Sequence, residues 1–168
     1  MAARALITFA IAMAACKARS DNPNIRTFAG SDLEMRAAID SARSTVGMLL
    51  RRLERPSPAS QTFLSVKVRF GDDRLGEHIW LDSLSFDGRR LHGQLQEDAV
   101  AVSGLHAGQW VSASPDSISD WLIIDRGIAC GGFTMRVDRS RATVADRAAL
   151  DSGLTQLGFV RWGAPNSC

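Results

Sequence analysis

The spacing of apolar residues changes along the chain, and each change predicts a different kind of element. Leu33, Ala37, Ala38, Ile39, Ala42, Val46, Leu49, Leu50 and Leu53 recur every three or four positions, with Arg36, Asp40, Arg43, Arg51 and Arg52 on much of the other side. That period predicts an amphipathic helix over 33–53 with one face buried. Ser31 stands three residues before Glu34, a capping arrangement suited to its start, and Pro56-Ser57-Pro58 forbids its continuation. From Thr62 the period becomes two, with Leu64, Val66, Val68 and Phe70 alternating with Ser65, Lys67 and Arg69. This is the pattern of a half-buried strand. The turn-like link 71–76 returns 77–86 as the second arm of a hairpin. Further strands are expected at 90–95, 110–113, 118–125 and 133–137, with turns at Asp87-Gly88, Ala107-Gly108 and Arg126-Gly127. Ala145, Ala148, Ala149, Leu150, Leu154 and Leu157 read as a second helix, capped by Thr143 or Asp146 and stopped near Gly158. A short 159–162 segment follows. The fold class expected is α+β: an N-terminal amphipathic helix on a curved, mainly antiparallel sheet of about five or six strands, with a C-terminal helix.

Length and composition narrow this without changing it. A chain of 168 residues, 45% hydrophobic and 23% charged, can build one ordinary core and has little left for a second. The formal net charge of +2 gives no large field to attract nucleic acid, which is excluded as an expected partner.

The first residues have the form of an export signal. Met1-Ala2-Ala3-Arg4 is a short basic start, residues 5–15 are apolar except for Thr8, and Cys16 follows the small pair Ala14-Ala15. The apolar run is shorter than the ~20 residues of a spanning helix. Met13-Ala14-Ala15-Cys16 resembles a bacterial lipobox, with Met13 where Leu is more usual. The organisation expected is a signal peptide over 1–15, a polar tether over 16–30 beginning at a lipidated Cys16, and a single domain over 31–168. The localisation expected is the bacterial cell envelope, lipid-anchored and facing the periplasm. Two plainer readings stand beside it: secretion without lipid, or a hydrophobic N-terminus on a cytosolic protein. In an oxidising compartment Cys130 and Cys168 form a candidate disulfide. The alternative is a buried Cys130 acting as a small hydrophobe and a frayed Cys168.

Candidate chemistry gathers in three places. Alternation along 77–82 puts Glu77, Ile79 and Leu81 on one face and His78, Trp80 and Asp82 on the other. His78 with Asp82 or Asp120 forms a candidate acid/base pair in a cleft walled by Trp80 and Trp121, with Glu77 as a further carboxylate. The bland alternative is a strand histidine satisfied by its neighbours and tryptophans that fill the core. Asp120 shares a strand phase with Ile118 and Leu122, so it needs a partner. Arg136 is the first choice, with Lys67 and Arg69 as alternatives. Gly131-Gly132 either admits a ligand or partner close to the backbone or serves a turn that needs unusual angles. Three cysteines and three histidines without ligand spacing predict no metal site, and no cofactor fingerprint is present.

The segments Phe63-Leu64-Ser65-Val66-Lys67-Val68-Arg69-Phe70, Glu77-His78-Ile79-Trp80-Leu81, Ile118-Ser119-Asp120-Trp121 and Gly131-Gly132-Phe133-Thr134-Met135-Arg136 resemble the bacterial family called domain of unknown function 2314. The resemblance covers about 33–137 and implies a compact domain without an assigned activity. The function expected is an exported, membrane-tethered binding or accessory protein, leaning away from enzymes. It would neutralise or scaffold another protein through Trp80, Trp121, Gly131, Gly132 and Arg136. An envelope hydrolase or carbohydrate-processing enzyme using His78 and Asp120 is the alternative, and small-ligand sensing between Trp80 and Trp121 is a third. The sequence leaves the oligomeric state open.

Overall fold

The computed structural model describes residues 32–55, 62–72 and 75–166. The signal segment, the tether, Ser31, Cys16 and Cys168 lie outside these residues. Four α-helices and seven strands follow in the order α1 (Leu33–Thr45), α2 (Gly47–Glu54), β1 (Thr62–Gly71), β2 (Gly76–Phe86), β3 (Leu91–Leu95), β4 (Trp110–Ala113), β5 (Ile118–Asp125), β6 (Ile128–Gly131), α3 (Phe133–Arg141), α4 (Val144–Gln156) and β7 (Arg161–Trp162). The strands form one sheet, ordered β4-β3-β2-β1-β5-β6-β7. Every pairing is antiparallel except β6 with β7. This is the α+β architecture the patterning predicts, with one strand more than expected.

The expected first helix is two helices. Asp32, rather than Ser31, caps α1, its side chain accepting from the Met35 amide at 3.1 Å. The break falls at Val46, where the buried Trp121 indole Nε1 donates to the Ala42 carbonyl at 3.1 Å and the Thr45 hydroxyl donates to the Ser41 carbonyl at 2.7 Å. The Val46 amide donates instead to Arg43 O at 3.4 Å. An i−4 acceptor claimed by another donor is a direct cause of a helix break. The small residues Ala38 and Ala42 bring α1 close to β5, while Leu33, assigned to the buried face by its spacing, is 77% exposed.

The sheet has two unequal faces. On the first, Val66, Val68, Ile79, Leu81, Leu91, Leu95, Ala113, Ile118, Trp121 and Ile123 pack under α1 and α2 with Phe133 from α3. On the second, Leu122, Ile124 and Ala129 pack with Leu154 and Phe159, and this smaller cluster reaches outward only to Phe63, Trp80, Met135, Leu150 and Trp162. Cross-strand partners share a face. The pairs Lys67↔Trp80, Asp82↔Gln94, Gln94↔Trp110 and His92↔Ser112 therefore continue the second face across β1–β4. No apolar cluster among the described residues covers that row beyond Trp80.

A bulge shifts the register between β1 and β5. Lys67 lies opposite Asp120 and Val68 opposite Ile118, so Ser119 is the extra residue. Ile118 therefore points into the first core and Leu122 into the second. The common strand phase read for Ile118, Asp120 and Leu122 does not hold.

At the free edge, Leu95 exchanges backbone hydrogen bonds with residues 108 and 109. By alternation the His92–Ser112 pair is non-bonded, and the Ser112 carbonyl faces outward. Arg90 reaches around to it, with Nε donating to Ser112 Oγ at 2.6 Å and Nη2 to Ser112 O at 3.1 Å.

The segment 133–137, expected as a strand, begins helix α3. Gly131 and Gly132 both take positive φ, +72° and +63°, and reverse the chain. A Cβ at Gly131 would lie 2.2 Å from Trp121 O, so the position requires glycine for space as well as for angle. At the C-terminus, Thr143 caps α4 as one of the two expected caps. The tail then runs beside β6, with Gly163 N donating to Ala129 O at 2.8 Å and Gly131 N to Pro165 O at 3.0 Å.

Candidate functional site

Three groups of sequence-derived residues occupy three different environments. Asp120 is fully buried on β5. Its Oδ1 accepts from the amides of Trp121 (2.8 Å) and Phe133 (2.9 Å), and its Oδ2 from the Thr134 amide (2.8 Å) and hydroxyl (2.6 Å). Two of these amides belong to the first turn of α3, where helical amides lack partners and the helix dipole favours negative charge. Burial pushes the carboxyl pKa up, and the Thr134 hydroxyl, Lys67 and the backbone donors oppose that rise. Asp120 is thus the remote cap of α3, and its acceptor positions are occupied.

Arg136 is on α3, and it is not the partner of Asp120. Its Nε donates to Gly131 O at 2.8 Å and its Nη2 to Gly163 O at 2.8 Å and Ala129 O at 3.3 Å. The guanidinium stacks 4.3 Å over the Trp162 ring. These contacts tie α3 to β6 and to the tail. Gly131 and Gly132 serve the same junction, Gly132 N donating to Trp121 O at 2.6 Å. Cys130, next to them and buried, is disulfide-bonded. The Cys130–Cys168 pairing read from the sequence involves Cys168, which lies outside the described residues.

Trp80 and Trp121 stand on opposite faces of the sheet. Trp121 is fully buried in the first core, edge-on to Phe133 at 5.7 Å. Trp80 belongs to the margin of the second cluster, with Lys67 Nζ 5.6 Å from its ring centroid. The two rings do not wall a common cleft.

His78 is half-buried, and its Nδ1 lies 2.8 Å from Ser119 Oγ, the bulge hydroxyl. Ser119 Oγ also donates to Lys67 O at 3.2 Å. One hydroxyl proton serves one acceptor, so this geometry makes His78 Nδ1 the donor and leaves Nε2 as an acceptor. Burial first, and then the charges of Lys67, Arg69 and Arg43, bring the imidazole pKa down to about 4. Glu77 turns to the other face, as alternation predicts. Its carboxylate accepts from the amides of Val100 (2.9 Å), Ala101 (2.8 Å) and Val102 (3.4 Å), anchoring the loop between β3 and β4.

The structure therefore does not gather His78, Glu77 and Asp120 around one opening. It assembles instead a polar and aromatic strip on the second face: Lys67, His78, Trp80, Asp82, Gln94 and Trp110. Sequence reasoning passed over Lys67 except as a partner for Asp120, and it missed Trp110, which is 58% exposed. A large exposed aromatic at the start of an edge strand, on the face of its polar neighbours, is a signal available from alternation. Ser119 and Thr134 were also missed, because a bulge and a remote cap depend on register. Glu97, two residues beyond β3, is raised in pKa by burial and by Glu77, against the pull of Lys67. Among the described residues no group of His, Cys, Asp or Glu is placed to hold a metal ion, and no helix is long and apolar enough to cross a membrane.

Comparison with known proteins extends the resemblance. The family described as "Uncharacterized protein conserved in bacteria (DUF2314)" matches residues 32–158, which takes in α4 as well as the 33–137 core. A Neisseria meningitidis serogroup B protein provisionally described as an ankyrin repeat protein is 32% identical over 129 residues. The alignment covers 73% of this chain and 51% of that relative, so the chain spans about half the length of the curated protein it matches. No solved structure matches the chain.

Proposed function

The chain belongs to the bacterial DUF2314 family, and from that premise we propose that its domain is a binding or accessory module of the cell envelope, tethered to a membrane through Cys16. In this reading the β1–β4 strip of the second face contacts another protein, neutralising or scaffolding it. The observation that carries the reading is the asymmetry of the sheet. Among the described residues one face is closed by α1 and α2, whereas the apolar cover of the other lies around β5 and β6 and stops short of the row Trp80, Lys67, Gln94 and Trp110. Tryptophans that reach the surface, as Trp110 does, are among the residue types that anchor protein interfaces. A tether adds to this by raising the local concentration of the domain at a membrane surface. The relative described as an ankyrin repeat protein supports a place beside other proteins, since repeat arrays build binding surfaces. The hydrolase alternative would have to proceed without Asp120, whose oxygens are taken up by the Trp121 amide and the start of α3.

Photo-crosslinking in cells tests the strip. A crosslinking side chain at position 94 or 110 is expected to give a discrete protein adduct, and the same probe at position 144 on α4 none. Equal adducts from all three positions, or none from any, overturns the reading. Cys16→Ser tests the tether: the variant is expected to leave the membrane fraction, and unchanged fractionation removes the lipid anchor.

A further inference from the structure

Resting on the binding reading above, a second feature specifies the partner's chemistry. Where β1 ends and β2 and β5 begin, three cations gather about His78. Arg69 is directly opposite His78 in register, and Lys67 is opposite Trp80 on the same face. Arg43, from α1, donates through Nε to Ile118 O at 3.1 Å, one residue before the Ser119 that holds the imidazole. Among the described residues none of the three forms an ion pair. Arg69 binds the backbone carbonyl of Asp72, Arg43 that of Ile118, and Lys67 sits over the indole of Trp80. Some arginines elsewhere are paired, Arg52 with Asp125, Arg139 with Asp151, and Arg141 with Asp32 and Glu34, while Arg90 and Arg136 are held, like Arg43, by hydroxyl or carbonyl oxygens; what marks the corner is that its cations act together on one imidazole. The carboxylates that act on Lys67 are the buried Asp120 and the half-buried Glu97, and Asp120 is already saturated by its own donors.

We propose that this corner receives an acidic segment of the partner protein, a side-chain carboxylate seating between Lys67 and Arg69 while the adjoining chain lies over Trp80 along the strip toward Trp110. Charge complementarity favours an anion, because among the described residues neither Lys67 nor Arg69 has a carboxylate within ion-pair distance, and Asp120 and Glu97 offset the Lys67 charge only from farther away. Continuity with the strip favours an extended polypeptide. A lipid headgroup would use the cations and leave the row across β2, β3 and β4 bare. Nucleic acid would need a larger basic field than a chain with net charge +2 provides. His78 reports occupancy: a carboxylate arriving beside it opposes the field of Lys67, Arg69 and Arg43 and makes protonation easier.

The test uses the full chain, a hexaglutamate peptide as probe, a hexalysine peptide as control and vesicles with and without anionic lipid. Hexaglutamate is expected to bind saturably at low ionic strength, to weaken with added salt, and to move the His78 and Trp80 resonances while raising the His78 pKa. Lys67→Gln/Arg69→Gln is expected to weaken binding by roughly tenfold, and Arg89→Gln to leave it unchanged. Absence of hexaglutamate binding, equal binding of hexalysine, or an unchanged affinity in the double variant each overturns the proposal. Binding confined to anionic vesicles overturns it in favour of lipid. If crosslinks form from position 110 while hexaglutamate fails, the binding role stands and the acidic partner falls. If hexaglutamate binds while no crosslink forms, the corner stands and the wider strip falls.

Discussion

Replacing Asp120 by asparagine changes neither shape nor size at the residue, yet it should cost the domain a large part of its stability. In the native protein the carboxylate accepts four hydrogen bonds at 2.6–2.9 Å, three from backbone amides and one from the Thr134 hydroxyl. Asparagine keeps one acceptor oxygen and turns an amide NH2 toward Thr134, whose hydroxyl can reverse and accept but whose backbone amide cannot. One buried donor is left without a partner, at about 1–3 kcal/mol, and the bonds that remain lose the charge that made them stronger. Relief of the desolvated charge offsets part of this, because burial raises the Asp120 pKa. The expected net loss is about 2–4 kcal/mol, a sizeable share of the ~5–15 kcal/mol that holds a domain together. Thr134→Val, which deletes the hydroxyl bond alone, should cost about 1.5–3 kcal/mol. The double variant should cost less than the sum, since both changes break one network. Urea unfolding of the four proteins in the cycle measures this. An asparagine variant within about 1 kcal/mol of the parent, or strict additivity with Thr134→Val, would refute the reasoning that a strand carboxylate holds the start of α3.

Three further outcomes follow from other sites. His78 is neutral in the folded protein down to about pH 4 but takes up a proton near 6.5 when unfolded. Its contribution is therefore complete above pH 6.5 and is lost as the pH falls toward 4. The interval corresponds to about 3 kcal/mol, reduced to roughly 2 kcal/mol by the ring's remaining contact with solvent. His78→Gln should flatten the urea midpoint over that range, and a parallel pH profile in the variant would contradict the assignment. Gly131→Ala should cost at least about 3 kcal/mol, from a φ of +72° and the backbone clash with Trp121. Gly108→Ala, with φ +77° and open space around it, should cost only about 1 kcal/mol. Equal melting temperatures would dismiss the clash. Peptide mapping without reduction should link Cys130 to Cys168, because the tail flanks Cys130 through the Ala129–Gly163 and Gly131–Pro165 hydrogen bonds. A link to Cys16 would refute that pairing and the lipid anchor together.

The elements legible in the sequence are those whose cause is local. Period two over 62–71 and 76–86 marks two strands because each residue's face depends only on its neighbours. The same holds for His78, Trp80 and Asp82, which alternation placed together and the register keeps together. What stayed hidden depends on contacts between distant segments. The 133–137 stretch alternates like a strand, yet it is helical, because its cap sits 13 residues earlier on β5. The split at Val46 was invisible because the indole that claims Ala42 O arrives from residue 121. Asp120 was legible as a carboxylate in need of partners, but its partners are amides rather than the cation that composition suggests. The bulge at Ser119 turned Ile118 away from Asp120 and supplied the hydroxyl that holds His78.

Arg90 has a consequence at the scale of many molecules. A sheet that ends in an unpaired strand offers each copy a template on which the next can lay its own, and β4 is such an end. By holding the outward oxygen of Ser112, the guanidinium occupies an acceptor that an incoming strand would need, and Pro115, just beyond β4, cannot donate a backbone hydrogen in return. Arg90→Ala should therefore leave the melting temperature of dilute protein almost untouched while light scattering rises with concentration. At high local density, stacking through such an edge would limit the useful concentration of the protein before stability did.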